Sequence, residues 1–268
     1  MTGDSMQDPH TDLVKIEFSD GVCTITIDRP DRHNTMTAET LRDLTRAFET
    51  AGDHQGTRAI VLTGAGNKTF CAGGQLSASS EGTPFELDPE RFDNPVALLI
   101  RAMDRCPLPI IGRINGSAFG GGVGLICACD VAIAVDSATF GTTEARVGVF
   151  PLMILPLLLR VLSRRSVIEM AFFAERFPAQ KALEIGLVNA VVSPEALDAA
   201  VATMVDKLRV NSPTALKIGR RAINAVCDLA LSDALNLTQA LLPVLAQSDD
   251  AKEGFAAFAQ RRPAVWKE

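Results

Sequence analysis

Apolar and polar residues alternate over positions 13–18, break at Ser19-Asp20-Gly21, and alternate again over Val22–Ile27. A period of two on either side of a glycine turn predicts a hairpin with one buried face. Arg29-Pro30-Asp31 ends it. Beyond Thr37, which suits a helix N-cap, Leu41, Leu44 and Phe48 recur at helical spacing, predicting a helix to about residue 51. The unbroken apolar run at 59–62 predicts a buried strand, closed by Thr63-Gly64-Ala65-Gly66, and Cys71-Ala72-Gly73-Gly74 forms a second tight turn. Residues 77–94 are polar and turn-rich and read as a mobile loop, with a helix following from about 95 to 106. Val131–Val135 reads as a strand, and Phe140-Gly141 as a short extended piece before a turn of helix over 142–146.

The densest punctuation lies between these, in residues 107–151. There Ile110-Ile111 leads into Gly120-Gly121-Gly122, which opens an apolar segment over 123–129. The first N–H groups of a helix have no intrahelical partner, and the helix dipole favours negative charge beside them. Glycine lets a ligand approach that backbone closely. The stretch therefore suits a developing oxyanion, and a carboxylate, Glu144, lies further along it. From Pro151 the pattern becomes helical. Pro178 suits a first helical position and Gly186 a helix C-terminus, while Ser193-Pro194 and Ser212-Pro213 each read as an N-cap followed by a first-turn proline. No strand signal of any length follows about residue 192. The layout is a loose tail over 1–12, a β/α region over 13–195 and a helical region over 196–268, a repeating strand-strand-helix order followed by helices.

Composition narrows the function. The 268 residues are 47% hydrophobic and 22% charged, with a net charge of −6 and no block of Lys or Arg, which disfavours nucleic acid and anionic membrane as partners. The start, acidic and without Lys or Arg before Lys15, reads as neither a signal nor a transit peptide. The apolar run over 149–159 is too short to span a bilayer and holds Pro151 and Pro156. The six cysteines fall mostly within apolar segments, which fits a reducing, cytoplasmic setting. Cys127 and Cys129 read as core rather than as metal ligands, and no metal site is expected. Only His10, His33 and His54 are present, G-x-S-x-G is absent, and neither a dinucleotide fingerprint nor a P-loop occurs.

Several short motifs stand in a familiar order. They are Arg29-Pro30 with Asn34, then Phe70-Cys71-Ala72-Gly73-Gly74, Asn115-Gly116 and the glycine triplet, Cys129-Asp130, Phe140-Gly141 with Glu144, and Glu253-Gly254 with Phe258 and Arg261-Arg262. Together they resemble the crotonase (enoyl-CoA hydratase/isomerase) superfamily over nearly the whole chain. The resemblance implies an α/β fold, a ββα superhelix over 13–195, followed by a C-terminal helical region over 196–268 that drives assembly into a homotrimer or hexamer. It implies an acyl-CoA thioester substrate in fatty acid metabolism and no separate cofactor, since coenzyme A is part of that substrate.

By motif position the resemblance assigns Gly74 and Gly121 as the N–H donors to a thioester enolate, and Glu144 as the acid/base. Two fixed donors on a developing oxyanion contribute several kcal/mol, about 3 each. The alternatives are tight turns for the glycines and a dipole-stabilised first-turn carboxylate for Glu144. The resemblance also carries coenzyme A contacts to Asp31, Arg32, His33 and Thr35, places Ala72 and Leu76 along the ligand path, and matches Phe258 and Arg261 to positions that reach a neighbouring subunit's ligand.

Three departures matter. The family's hydratases use two glutamates, and here the first position is Gly124. One glutamate is more naturally a proton shuttle than a hydratase pair. The expectation is an enoyl-CoA hydratase/isomerase-type enzyme, with Δ3-Δ2 isomerisation or a non-catalytic acyl-CoA binder as alternatives and other enolate chemistry as a third. Gln75 stands where the family has Asp, and reads as a structural hydrogen bond. Glu81, Glu86 or Asp88 of the loop could replace the absent carboxylate, although solvated charges are the simpler reading. Finally, bulky residues over 151–159 would narrow the acyl pocket and exclude water, or pack in a core.

Overall fold

Val14 to Ser19 pair one for one with Ile27 to Val22, so the first two strands, β1 (Val14–Ser19) and β2 (Val22–Ile27), form the expected antiparallel hairpin. Asp20 and Gly21 both take positive φ, 50° and 71°, the twist a two-residue hairpin loop requires. The computed structural model describes residues 13–75, 82–85 and 87–266. The tail expected over 1–12 lies outside the described residues, as do Leu76, Glu81 and Glu86.

Thr37 caps α1 (Ala38–Asp53), its Oγ1 accepting from the Thr40 N–H at 3.2 Å. Leu41, Leu44 and Phe48 are buried, as their spacing predicts. Then follow β3 (Ala59–Gly64), β4 (Thr69–Cys71), α2 (Pro95–Arg105), β5 (Ile110–Ile114), β6 (Ser117–Phe119), α3 (Gly121–Ala128), β7 (Val131–Val135) and β8 (Thr139–Gly141). A 3-10 turn (Glu144–Val147) leads to α4 (Leu155–Val161), α5 (Arg164–Phe173), β9 (Phe177–Pro178), α6 (Ala179–Glu184), β10 (Ala190–Val192) and α7 (Leu197–Arg209). The chain continues through α8 (Pro213–Val226), α9 (Leu231–Ala246) and α10 (Asp249–Gln260).

Six strands form one sheet in the order β1-β2-β3-β5-β7-β10, parallel beyond the hairpin, and four form a second in the order β4-β6-β8-β9. From β3 to β8 each turn of the chain contributes one strand to each sheet. This is the ββα superhelix. It explains why β3, β5 and β7 read as apolar runs rather than alternations, because a parallel strand is covered on both faces.

α7 belongs to the body, since Val201 and Val205 are buried against the large sheet beside β5 and β7. The later helices pack mainly on one another and on α2, and expose Leu231, Leu235, Leu242 and Phe255. Arg220 anchors α8. Its Nε donates to Asp130 Oδ2 at 2.7 Å and its Nη1 to the carbonyls of Cys106 and Asp104, while the same Asp130 oxygen accepts the Ile110 N–H at 2.7 Å. Ser212 caps α8 as expected, with Ala215 N–H at 2.9 Å.

Pro178 departs from its expected place, while Pro194 keeps the first-turn position after Ser193 and lacks only the side-chain cap. Pro178 is the extended residue before α6 and pairs with Thr139 on the outer edge of the small sheet, where a missing N–H is tolerated. Pro194 opens a 3-10 turn without a side-chain cap from Ser193, and α7 begins at Leu197. No described helix is long and apolar enough to cross a membrane.

Candidate active site

Two backbone loops meet at the start of α3. Gly120 is its N-cap, with φ 50° and ψ −119°, held by its N–H on the Gly141 carbonyl at 3.0 Å. Its own carbonyl accepts from Val123 and Gly124, which closes the first turn and leaves the Gly121 N–H without an intrahelical acceptor. The second loop follows β4. Met36 donates to the Gly73 carbonyl at 2.8 Å, Gln75 donates to the Met36 carbonyl at 2.9 Å, and Ala72 donates to the His33 carbonyl at 3.1 Å.

Gly73, at φ +88°, lets the loops touch. A Cβ there would lie 2.7 Å from the Phe119 carbonyl oxygen and 3.2 Å from the Gly121 nitrogen. A Cβ on Gly121 would lie 3.7 Å from the Gly74 nitrogen. The two amides assigned by motif position are therefore neighbours, and among the described residues neither donates a backbone hydrogen bond. Met36 and Pro84 pack on the pair, their Cε and Cγ each 2.8 Å from where a Cβ on Gly121 and Gly74 would stand.

The third component is Glu144, carried by the 3-10 turn after β8. Its Oε1 lies 2.7 Å from where a Cβ on Gly120 would stand, so the carboxylate rests against the N-cap of α3. Its Oε2 is buried with no hydrogen-bond partner among the described residues, and the same holds for Thr142 Oγ1. Burial pushes the Glu144 carboxyl above its ordinary value, opposed in part by its own backbone N–H. An adjacent pair of free amides suits an oxyanion, and a partly desolvated carboxyl suits proton transfer.

Position 124 is occupied from outside. A Cβ on Gly124 would lie 2.2 Å from Cγ2 and 2.8 Å from Cβ of Ile154, a buried residue at the start of α4. The Gly124 N–H donates to the Gly120 carbonyl at 3.2 Å, so the position against which the Glu144 carboxylate rests and the position that Ile154 covers adjoin across the first turn of α3. Part of the apolar run over 151–159 is core, with Ile154, Leu157 and Leu158 buried, while Leu152 and Leu159 are exposed.

The turn expected to meet coenzyme A lies beside the second loop. Asp31 and Arg32 are exposed in a 3-10 turn (Pro30–Arg32), and exposed His33 follows in the left-handed region at φ 53°. Thr35 and Ala72 are half-buried. Asn34, fully buried, accepts from the Arg29 N–H at 3.0 Å and donates to the carbonyls of Ala65 and Thr69 at 3.0 and 2.7 Å. Arg29 is buried too, donating to the Thr35 carbonyl at 2.7 Å and lying 3.5 Å from Gln75 Oε1.

Phe258 and Arg261 belong to the C-terminal helices. They lie on and at the end of α10, which packs on α8 and α9, and Phe258 is 87% exposed. Asp88 accepts from the N–H groups of Glu90 and Arg91, capping its own turn. Sequence reasoning passed over Ile154, Met36 and Arg29 as individuals. The motif around Arg29 and the run containing Ile154 were visible, but which residue each packs against was not.

Known proteins share this arrangement of elements. The family model described as enoyl-CoA hydratase/isomerase matches residues 17–268. An enoyl-CoA hydratase from Mycobacterium smegmatis is similar at 29% identity and a TM-score of 0.87, over 95% of this chain and 98% of that one. An enoyl-CoA hydratase from Shewanella pealeana matches at 29% identity and 0.85, over 95% and 96%. Human enoyl coenzyme A hydratase domain-containing protein 3 matches at 25% identity and 0.85, over 95% and 100%. With the superhelix complete and the family match running through its last helix, the chain belongs to the enoyl-CoA hydratase/isomerase family.

Proposed function

We propose that this protein is an acyl-CoA enzyme that moves a carbon–carbon double bond through a thioester enolate, with Glu144 as its single proton shuttle. The observation that carries the reading is one partly desolvated carboxylate resting on the α3 N-cap, with Ile154 rather than an acid at the adjoining position 124. Glu144 removes a proton from C2 of a 3-enoyl thioester. The electron pair moves onto the thioester oxygen, which accepts hydrogen bonds from the Gly74 and Gly121 N–H groups. Glu144 then returns the proton to C4, and the double bond moves from C3–C4 to C2–C3 with no atom gained or lost. Burial raises the proton affinity of Glu144, which suits a group that must hold a proton between two carbons.

The turn at 31–35, with Ala72, would hold the coenzyme A portion, and Arg32 would pair with a phosphate. The exposed apolar face of α9 and α10 supports self-association as a homotrimer or hexamer, in which Phe258 and Arg261 would reach a neighbouring subunit's ligand. A second reading, hydration, is favoured by the hydratase names of the M. smegmatis and S. pealeana relatives.

One assay separates the two. Conjugated-thioester absorbance is followed with a trans-3-enoyl-CoA and, separately, with crotonyl-CoA. Gain with the first and silence with the second is the expected result, whereas loss of conjugation from crotonyl-CoA identifies a hydratase. Glu144→Gln is expected to reduce kcat by about 10²–10⁴-fold. Full activity in that variant would remove Glu144 from the chemistry.

A further inference from the structure

The space beside Gly124 is filled, and what fills it bears on the reaction type. A Cβ at 124 would overlap Ile154, at 2.2 Å from Cγ2 and 2.8 Å from Cβ, and both atoms belong to a residue only 4% exposed. Cβ and a branch methyl cannot swing aside as the tip of a long side chain can, because χ1 of a β-branched residue is stiff. Position 124 is therefore closed to any side chain while Ile154 stays in place.

The Gly124 N–H donates to the Gly120 carbonyl at 3.2 Å, so the two positions are neighbours across the first turn of α3, one with the Glu144 carboxylate against it and the other with Ile154. Addition of water to an enoyl thioester has two demands. A water oxygen must bond C3 while its proton is taken up, and C2 must gain a proton. A hydrocarbon next to the carboxylate gives that water no hydrogen-bond partner on one side.

We propose that Ile154 is the residue that determines reaction specificity in this protein: it covers position 124 of α3 and keeps water from being held beside Glu144, so that the enolate is reprotonated rather than hydrated. This rests on the proton-shuttle reading above. It also means that Gly124→Glu alone cannot restore a two-carboxylate site, because the new side chain has no room until Ile154 is reduced.

The test has a packing arm and a reaction arm. In the first, thermal unfolding is compared for wild type, Gly124→Ala, Ile154→Ala and the double variant. Gly124→Ala is expected to lower Tm by roughly 5 °C, the scale of overpacking a filled site in a chain of this size. In the Ile154→Ala background the same change is expected to cost far less. A Gly124→Ala variant that melts with wild type would show that Ile154 does not close the site and would overturn the proposal.

In the second arm, the ratio of crotonyl-CoA hydration to 3-enoyl-CoA isomerisation is measured for Ile154→Ala/Gly124→Glu. The ratio is expected to rise at least about tenfold above wild type, the effect of one added proton-transfer group at the low end of its usual range. If that pair does not unfold cooperatively, Ile154→Ser replaces it, since a smaller side chain with a hydroxyl can partner a water. An unchanged ratio in a folded variant, with wild-type isomerisation intact, would overturn the proposal alone. A wild type that isomerises no 3-enoyl-CoA would instead overturn the proton-shuttle reading, and this proposal with it.

Discussion

Replacing Gly120 by alanine tests whether the Glu144 carboxylate must rest where it does. The added Cβ would stand 2.7 Å from Oε1 and 3.2 Å from the carboxyl carbon. An ordinary carbon contact is about 3.5–4.0 Å, so the group must retreat by about 1 Å. That retreat costs little stability, because the carboxylate is the free end of a three-carbon side chain. The backbone supplies most of the stability loss: at φ 50° and ψ −119°, a region L side chains rarely adopt, alanine costs about 1–3 kcal/mol. The catalytic loss follows from position, since a 1 Å displacement of a reacting group lowers rate by up to about 10²-fold.

Gly120→Ala is therefore expected to lower kcat on a trans-3-enoyl-CoA by about 10–100-fold with KM little changed, and to lower the unfolding free energy by about 1–3 kcal/mol. Initial-rate kinetics over a substrate range and a denaturant titration read the two quantities. The reasoning is refuted if kcat stays at wild type while stability falls, because the contact with Glu144 would then have no bearing on the chemistry. Equal falls in kcat for Gly120→Ala and for Gly120→Ala/Glu144→Gln are expected to a first approximation only if the carboxylate is fully displaced.

The remaining predictions concern pH and the anchoring of the helical region. Glu144 must be ionised to accept a proton, and burial raises its pKa above the ordinary 4.5, so the acid limb of kcat/KM is expected to lie above that value and to vanish in Glu144→Gln. The same shift means that the folded state holds this proton more tightly than the unfolded chain. Its stabilising contribution is present at low pH and lost as pH rises through the folded pKa, so the stability difference between wild type and Glu144→Gln should depend on pH in that sense in denaturant titrations. Arg220→Ala leaves the Cys106 carbonyl and one side of Asp130 without their donor, while the Asp104 carbonyl keeps Asn224 Nδ2 at 3.0 Å. Asp130 is partly solvated and keeps the Ile110 N–H, so the expected loss is about 2–3 kcal/mol in urea unfolding, below the full effect of breaking a buried pair. No change in the unfolding midpoint would mean that α8 is held by other contacts.

Much of this molecule was legible in one chain of residues because the signals are local. The period-two hairpin, the Thr37 and Ser212 caps, the apolar runs of the parallel strands and the glycine that opens α3 each depend on neighbours a few positions away. Motif order then singled out Gly74, Gly121 and Glu144, which the fold gathers around the start of α3, although 23 positions separate the last two and 47 the first two. What sequence spacing cannot express is who fills the space around a glycine. Gly73, Gly120 and Gly124 look alike in the sequence, yet the first admits the Phe119 carbonyl, the second the Glu144 carboxylate and the third Ile154. Local pattern determined the elements and the chemical groups available. Glycine at 124 already removed a second acid; only tertiary packing, in which two atoms cannot share one volume, decided that Ile154 would fill the space beside it.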